Sequence, residues 1–266
     1  MGQNFLILFA FCLLCVSCSE TQRQHRDQFQ NVDSLSISAQ KSDTLIFIHR
    51  TFADTSATPN YIIEAQFPEL VHYEREGIRK QFNAEIKNIL DGSISSFKIF
   101  LGGQSPETGY KNDSVPLFSK LSIDYDLAYN SRLISSLIFH FEQLDLPSDN
   151  ILRFNKVLNF NLLNGETIFI EDLLQADTTL LKRLSDLTFN KLSTQMPDAD
   201  TTWIRNGTEP VLENFKNFLF MLDSGSVIFN IFQVAPAEVG TVRVNFAWKE
   251  LFPDSLGINP LNAKPR

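Results

Sequence analysis

A chain of 266 residues, 43% of them hydrophobic and 20% charged, is composed to bury a core and is not an intrinsically disordered segment. Its 23 Lys and Arg against 31 Asp and Glu give a net charge of −8, which leaves no basic surface to neutralise phosphates and argues against a nucleic-acid partner. The 24 Phe, set beside 2 Trp and 5 Tyr, are a large aromatic supply for a core, and the length suits one domain or two intertwined ones.

Residues 5–16 form an unbroken apolar run, shorter than the ~20 residues a membrane-spanning helix needs but of the length found in secretory signals. Leu6 stands where an N-myristoylation signal requires Ser or Thr, so Met1-Gly2 is not read that way. Cys15-Val16-Ser17-Cys18 resembles the lipobox of bacterial lipoproteins, with Cys15 where Leu is usual. In that family a lipid is placed on the cysteine and the signal is cut just before it, after a small residue. Ser17 is small, whereas Phe11 before Cys12 and Leu14 before Cys15 are bulky, so Cys18 is the expected acceptor. The other reading is an ordinary secretory signal cut near Ser17 or Ser19, which leaves Cys18 a free thiol. On the lipoprotein reading residues 1–17 are a signal peptide, and the acyl chains on Cys18 anchor the chain in a membrane. With Cys12 and Cys15 removed, neither a disulfide nor a cysteine metal site remains. Residues 18–42 are polar and without sustained period, a flexible tether.

The body opens with an expected strand at 43–50, a polar turn, and a strand at 61–67 ended by Pro68. Ile78, Phe82, Ile86, Ile89 and Leu90 recur at helical spacing, and Asp91-Gly92 reads as the stop. After a Gly/Ser/Pro-bearing stretch at 102–116, Leu121, Ile123, Tyr125, Leu127 and Tyr129 alternate with Ser122, Asp124, Asp126 and Ala128, as on a strand with one wet face. Asn130-Ser131 turns the chain into a strand at 133–141. The strand at 154–162 carries Asn155, Asn159 and Asn161 on one face and Leu158, Phe160 and Leu162 on the other, and Asn164-Gly165 marks a turn. A short segment at 168–174 leads to Asp177, the expected N-cap of a helix bearing Leu180, Leu181, Leu184, Leu187 and Leu192. A hairpin follows at 215–222 and 227–232, then an alternating strand from Val242 to Trp248, with 254–266 as a tail. Strand runs broken by two solitary helices predict an α+β fold of mostly antiparallel sheets, each packed by a helix, in two small intertwined domains.

NFNLLNGETIFIEDLL at 159–174, the helix after Asp177 and FLFMLDSGSVIFNIFQVAPAEVGTVRVNFAWKEL at 218–251 resemble the C-terminal domain of RsiV-type proteins, bacterial envelope domains mostly of unknown function. YIIEAQFPEL at 61–70 and FNAEI at 82–86 are similar to the small domain that often precedes it and that also occurs N-terminal to some peptidoglycan deacetylases. The resemblance implies an α+β small domain at 43–147 and a larger one at 148–253. Members often carry Gly-Gly-Ala-His before the segment equivalent to 154–162, where this chain has LDLPSDN at 144–150. In one branch the C-terminal domain binds lysozyme, and its shedding frees a sigma factor. The cytoplasmic segment and transmembrane helix of that branch, and the Asp-Asp metal motif of the deacetylase branch, have no counterpart in this sequence.

Local chemistry is sparse. His25, His49, His72 and His140 show no ligand spacing, so neither a metal site nor a cofactor is expected. Asp124 and Asp126 share a strand face, where paired carboxylates can bind Ca²⁺ or do acid–base work, but they sit in a plain wet-face alternation. Asp198-Ala199-Asp200 lies in an expected loop, and no nucleophile elbow, phosphate loop or dinucleotide fingerprint is present, so no catalytic residue is assigned. Trp248 continues the Val242/Val244/Phe246 face and is expected in the core. Trp203 lies in the polar stretch TTWIRNG, where an exposed indole beside Arg205 and Asn206 would suit a glycan or protein ligand. The expectation is a lipid-anchored envelope protein with a non-catalytic binding or sensing module for a lysozyme-like protein or a cell-wall glycan. The alternatives are a wall-polymer hydrolase or deacetylase with a dispersed site, and a structural envelope component.

Overall fold

Two of the sequence-predicted stops are overridden by packing. The computed structural model describes residues 45–103, 118–145, 150–174 and 178–253; Cys18, His25 and the Asp177 cap lie outside them. The first helix, α1 (Glu76–Gly102), does not end at Asp91-Gly92. Phe82, Ile86, Leu90, Ser93, Phe97 and Leu101 keep the three- and four-residue spacing and are all buried. Burying the inner face of nearly three further turns outweighs the ~1 kcal/mol that an interior glycine costs a helix. The second strand likewise passes through Pro68. Strands β1 (Ile46–Ala57) and β2 (Asn60–His72) pair along their length, while β3 (Ser119–Asn130) pairs with β2 only from Tyr61 to Ala65. Pro68 therefore sits where β2 has a single neighbour, a place that tolerates a missing donor.

Strands β4 (Ile134–Asp145) and β5 (Asn150–Asn161) complete a five-stranded sheet in the order β1-β2-β3-β4-β5. Every neighbour pair is antiparallel except β2 and β3, whose parallel pairing needs a long crossover, and α1 provides it. The helix covers one face of the sheet, where Phe82 and Phe97 pack with Ile63, Leu121, Phe139 and Phe160. Its seat on β2 is fixed by Asn83, which accepts the Leu70 N–H at 2.9 Å and donates to the Leu70 carbonyl at 3.0 Å. Position 147 falls between β4 and β5, paired from Ile134↔Asn161 to Asp145↔Asn150, so β5 shares its sheet with the preceding segment.

The rest of the chain makes a second sheet and its own helical cover. After α2 (Ile170–Leu174) and α3 (Thr178–Gln195) comes a short α4 (Thr201–Gly207), then a 3₁₀ turn, Leu212–Phe215. Strands β6 (Phe218–Phe220), β7 (Ser224–Phe229) and β8 (Val242–Ala247) form an antiparallel meander, and α5 (Trp248–Leu251) follows. The strand expected at 215–222 is thus shorter, because Phe215 leaves the ladder to pack edge-on against Phe229. Phe218, Phe220, Val227, Phe229, Val244 and Phe246 face the helices and share a core with Leu184, Leu192, Ile204 and Trp248. Leu219 and Ile228 point the other way, onto Ile138 of the first sheet. The layers run helix, five-stranded sheet, three-stranded sheet, helices, an α+β architecture. Among the described residues no helix is long and apolar enough to cross a membrane.

The asparagine face of β5 lies between the sheets. Asn155, Asn159 and Asn161 are only 6%, 4% and 8% exposed, so their amides must find partners inside the protein. Asn159 donates to the Phe218 carbonyl at 2.6 Å and accepts the Phe220 N–H at 2.9 Å, as a peptide group of a neighbouring strand would. Ser136 adds a hydroxyl donated to the Phe220 carbonyl at 2.7 Å. Asn159→Ala leaves a buried donor and acceptor of β6 unpaired. The expected loss is ~2–4 kcal/mol in urea unfolding, and a loss below ~0.5 kcal/mol would show that the sheets do not depend on this amide.

Candidate binding site

Residue Asp200 begins the local geometry. Its side chain accepts the Thr202 N–H at 2.8 Å and caps α4, so the polar stretch TTWIRNG is a helix, while Asp198-Ala199-Asp200 form the loop that leads into it. Ile204 anchors the helix in the core. At its end Gly207 lies under the loop after β7, where a Cβ would stand 2.0 Å from the Gln233 carbonyl. Only glycine permits that approach, and it brings the loop beside Trp203. The Trp203 indole donates to the Phe232 carbonyl at 2.9 Å.

Phe232 is the unusual residue here. It occupies the third position of a turn closed by the Gln233 N–H on the Asn230 carbonyl at 3.0 Å, with φ 66°. That conformation favours glycine or asparagine and costs a bulky residue ~1–3 kcal/mol. The residue is nevertheless 64% exposed, so burial does not offset the strain. The turn is held by its neighbours. Gln233 accepts the Asn230 N–H at 3.2 Å and donates to the carbonyls of Asn214 and Gly207 at 2.9 and 3.3 Å. Asn155 of β5 gives both its backbone and side-chain N–H to Asn230 Oδ1, at 2.8 and 2.9 Å.

Between Trp203 and Phe232 opens a depression of about 500 Å³, lined also by Asp200, Thr202, Asn206 and Asn214. Trp203 and Asn206, three apart on a helix, share a face. Arg205 does not line the depression; its guanidinium lies 3.4 Å over the Phe189 ring and 3.8 Å from Asp186. Phe232 and Asn214 were not singled out from sequence. The available signal for Phe232 was Asn230, a turn-forming residue inside what reads as a strand.

The other polar candidates stay apart. His49 stacks on Tyr125 with ring centres 5.8 Å apart, and Asp124 accepts the N–H of Tyr125 at 2.8 Å. Trp248 is buried, its indole donating to the Met221 and Leu222 carbonyls at 3.0 and 3.1 Å. Among the described residues no three His, Cys, Asp or Glu side chains converge.

His140 joins the seam between the sheets. Its Nε2 lies 2.9 Å from Asp126 Oδ2 and its Nδ1 2.7 Å from Asn155 Oδ1. Because the Asn155 amide nitrogen faces Asn230, its oxygen faces the imidazole, so both ring nitrogens meet acceptors and favour the charged ring. The Asp126 hydrogen bond is the main cause that raises the His140 pKa. It outweighs desolvation and is helped by Asn155 and the charges of Asp126 and Asp124. The same bond holds Asp126 below the usual carboxylate range, with smaller help from the charges of His140 and Arg243.

The fold and this corner define a class: a two-sheet α+β protein presenting an aromatic-walled depression on a helix–turn corner. Residues 171–249 match the family described as Protein of unknown function (DUF3298). A peptidoglycan-N-acetylmuramic acid deacetylase of Bacillus subtilis is 24% identical over 139 residues, which are 52% of this chain and 29% of that protein. The match therefore spans less than a third of the relative. A DUF3298-family structure from Bacteroides fragilis aligns with a TM-score of 0.56 at 14% identity, over 85% of this chain and 100% of the other. A second, from Pseudomonas aeruginosa, aligns at 0.57 with 8% identity, over 79% and 94%. At such identities the likeness is one of fold.

The His140–Asp126 pair sets a pH dependence. A raised histidine pKa stabilises fully below its unfolded value of about 6.5 and ceases to as pH rises through the folded value. A lowered aspartate pKa stabilises fully above about 3.9 and ceases to as pH falls through the folded value. The stability difference between wild type and His140→Ala is therefore expected to be largest between about pH 4 and 6.5 and to shrink above. Urea unfolding across pH measures it, and a difference growing from pH 6.5 to 9 would contradict the assignment.

Proposed function

We propose that this chain is a non-catalytic binding module of the bacterial cell envelope whose Trp203–Phe232 depression receives a cell-wall glycan. The carrying observation is Phe232, a solvent-exposed ring held at φ 66° by a clamped turn. Strain kept where no packing explains it points to function. Two aromatic walls with amides at the rim suit sugars, whose apolar faces stack on rings while hydroxyls bond to side chains such as Asn206 and Thr202. Asp200 is the one carboxylate among the described lining residues, and one of its oxygens caps α4. Glycoside hydrolysis commonly uses two carboxylates. The partial match to a protein named for acting on peptidoglycan supports a wall ligand. The lipobox-like Cys15–Cys18 supports an envelope location with a lipid on Cys18.

Calorimetric titration of the full chain with a soluble N-acetylglucosamine–N-acetylmuramic acid tetrasaccharide is expected to show saturable binding and no turnover. Trp203→Ala and Phe232→Gly should each weaken it about tenfold or more with the fold intact. Binding untouched by both changes would overturn the site, and hydrolysis or deacetylation would overturn the non-catalytic reading. Capture of lysozyme, lost in the same variants, would favour a protein ligand instead. Separately, labelled palmitate is expected to enter the wild-type protein and not Cys18→Ala; labelling of both would displace the anchor from Cys18.

A further inference from the structure

One face of β5 breaks its own pattern. Phe154, Leu158 and Phe160 pack in the core under α1, the exposed Leu152 shares their parity beside the end of that helix, and Lys156 stands in the middle of that row. Its ammonium donates to Ser93 of α1 at 2.9 Å and lies 5.2 and 5.9 Å from the ring centres of Phe141 and Phe154, themselves stacked at 4.7 Å. The Ser93 hydroxyl donates to the Ile89 carbonyl at 2.8 Å, so it accepts from Lys156 and is not a nucleophile activated by it. Among the described residues no carboxylate pairs with Lys156. Desolvation lowers its pKa, and the charge of Lys216 adds to the effect.

Beside this ammonium is a second cavity, of about 380 Å³, walled by Phe97, Phe100, Leu121, Leu152 and Phe154. It shares no lining residue with the Trp203 depression. Apolar side chains are exposed at its mouth: Phe100 and Leu152 are 44% and 55% exposed. Asp145, the carboxylate of the lining, pairs with Asn150, and Phe139 with Lys156. Those pairs stand six positions apart on the ladder, ~20 Å of strand. The cavity thus runs from a mouth that bears a carboxylate to a cation that meets no carboxylate among the described residues. An acid group stripped of water beside that cation gains a charge-assisted hydrogen bond that a neutral group does not.

We propose that this groove binds a small anionic amphiphile, its acid group on Lys156 and its hydrocarbon body against Phe97, Phe100, Leu152 and Phe154. The volume is that of a ligand-sized pocket. Lys156 is exposed, so its charge can be reached. The selectivity is for one negative charge and an apolar chain, and it is independent of the glycan reading.

Decanoate and its uncharged counterpart decanol are the probes, titrated into the full chain by calorimetry and followed by amide NMR. Decanoate is expected to bind saturably, at least tenfold tighter than decanol, with shifts at Phe154 and Lys156. Lys156→Met should bring decanoate down to the decanol level, and Lys156→Arg should restore it, while Leu152→Asp should weaken both ligands. Equal binding of the two probes, or decanoate binding unchanged by Lys156→Met in a folded protein, would overturn the proposal. So would a groove closed by self-association, seen as a dimer in sedimentation that Leu152→Asp dissolves.

Discussion

The side-chain amides of β5 occupy a surface from which water is excluded, and the second half of the molecule is placed by them. A buried amide without partners costs several kcal/mol, so Asn159 is tolerable only where a carbonyl and an N–H meet it together. The short strand β6 presents both, from Phe218 and Phe220. The amide stands in for a peptide unit, and its geometry allows one register of the three-stranded sheet on the five-stranded one. Asn83 uses the same device at the other face, docking α1 on Leu70. Apolar contacts such as Ile138 with Leu219 and Ile228 add adhesion to the seam without direction.

From the seam the constraint passes outward to the corner proposed as a binding site. Asn155 fixes Asn230, Asn230 opens the turn, and the turn holds Phe232 in its strained conformation. Gly207 allows α4 to close against that turn, and the Trp203 indole locks the two aromatics edge to loop. The site is thereby built on rigid elements although Phe232 lies in a loop, which is what pre-organised recognition requires. The Lys156 groove on the opposite face of β5 grows from the same strand, through residues of the other parity.

Much of the fold was legible in the residues. Period-two alternation marked β3 and the Val242 strand, and helical spacing marked α1, because burial on one face imposes both patterns. What alternation cannot distinguish is a polar face wet by solvent from one buried against a polar partner. The Asp124/Asp126 face and the asparagine face read alike, yet the first is exposed and the second is sealed. The partners that Asn155 and Asn159 find on the second sheet and its loops are 59 to 86 residues away in sequence, beyond any local signal. Gly92 and Pro68 read as stops because their local cost is visible in sequence and the compensating packing is not. Trp203 and Asn206 could be picked as candidates from their polar local sequence, whereas for Phe232 the sequence offers only the turn-forming Asn230, and the positive φ of the turn appears in three dimensions. Lys156 was detectable in principle, as a charge at the centre of an apolar parity row.

The account rests on the claim that the asparagine seam makes the two sheets one cooperative unit. Native-state hydrogen exchange of the wild-type chain tests it through the Phe220 amide, whose acceptor is the side chain of Asn159. The account predicts that this proton is protected to within about tenfold of the Phe139 amide at the centre of β4, both exchanging through global unfolding. Exchange of Phe220 a hundredfold or more faster than Phe139 would mean that the second sheet opens independently, and would contradict it.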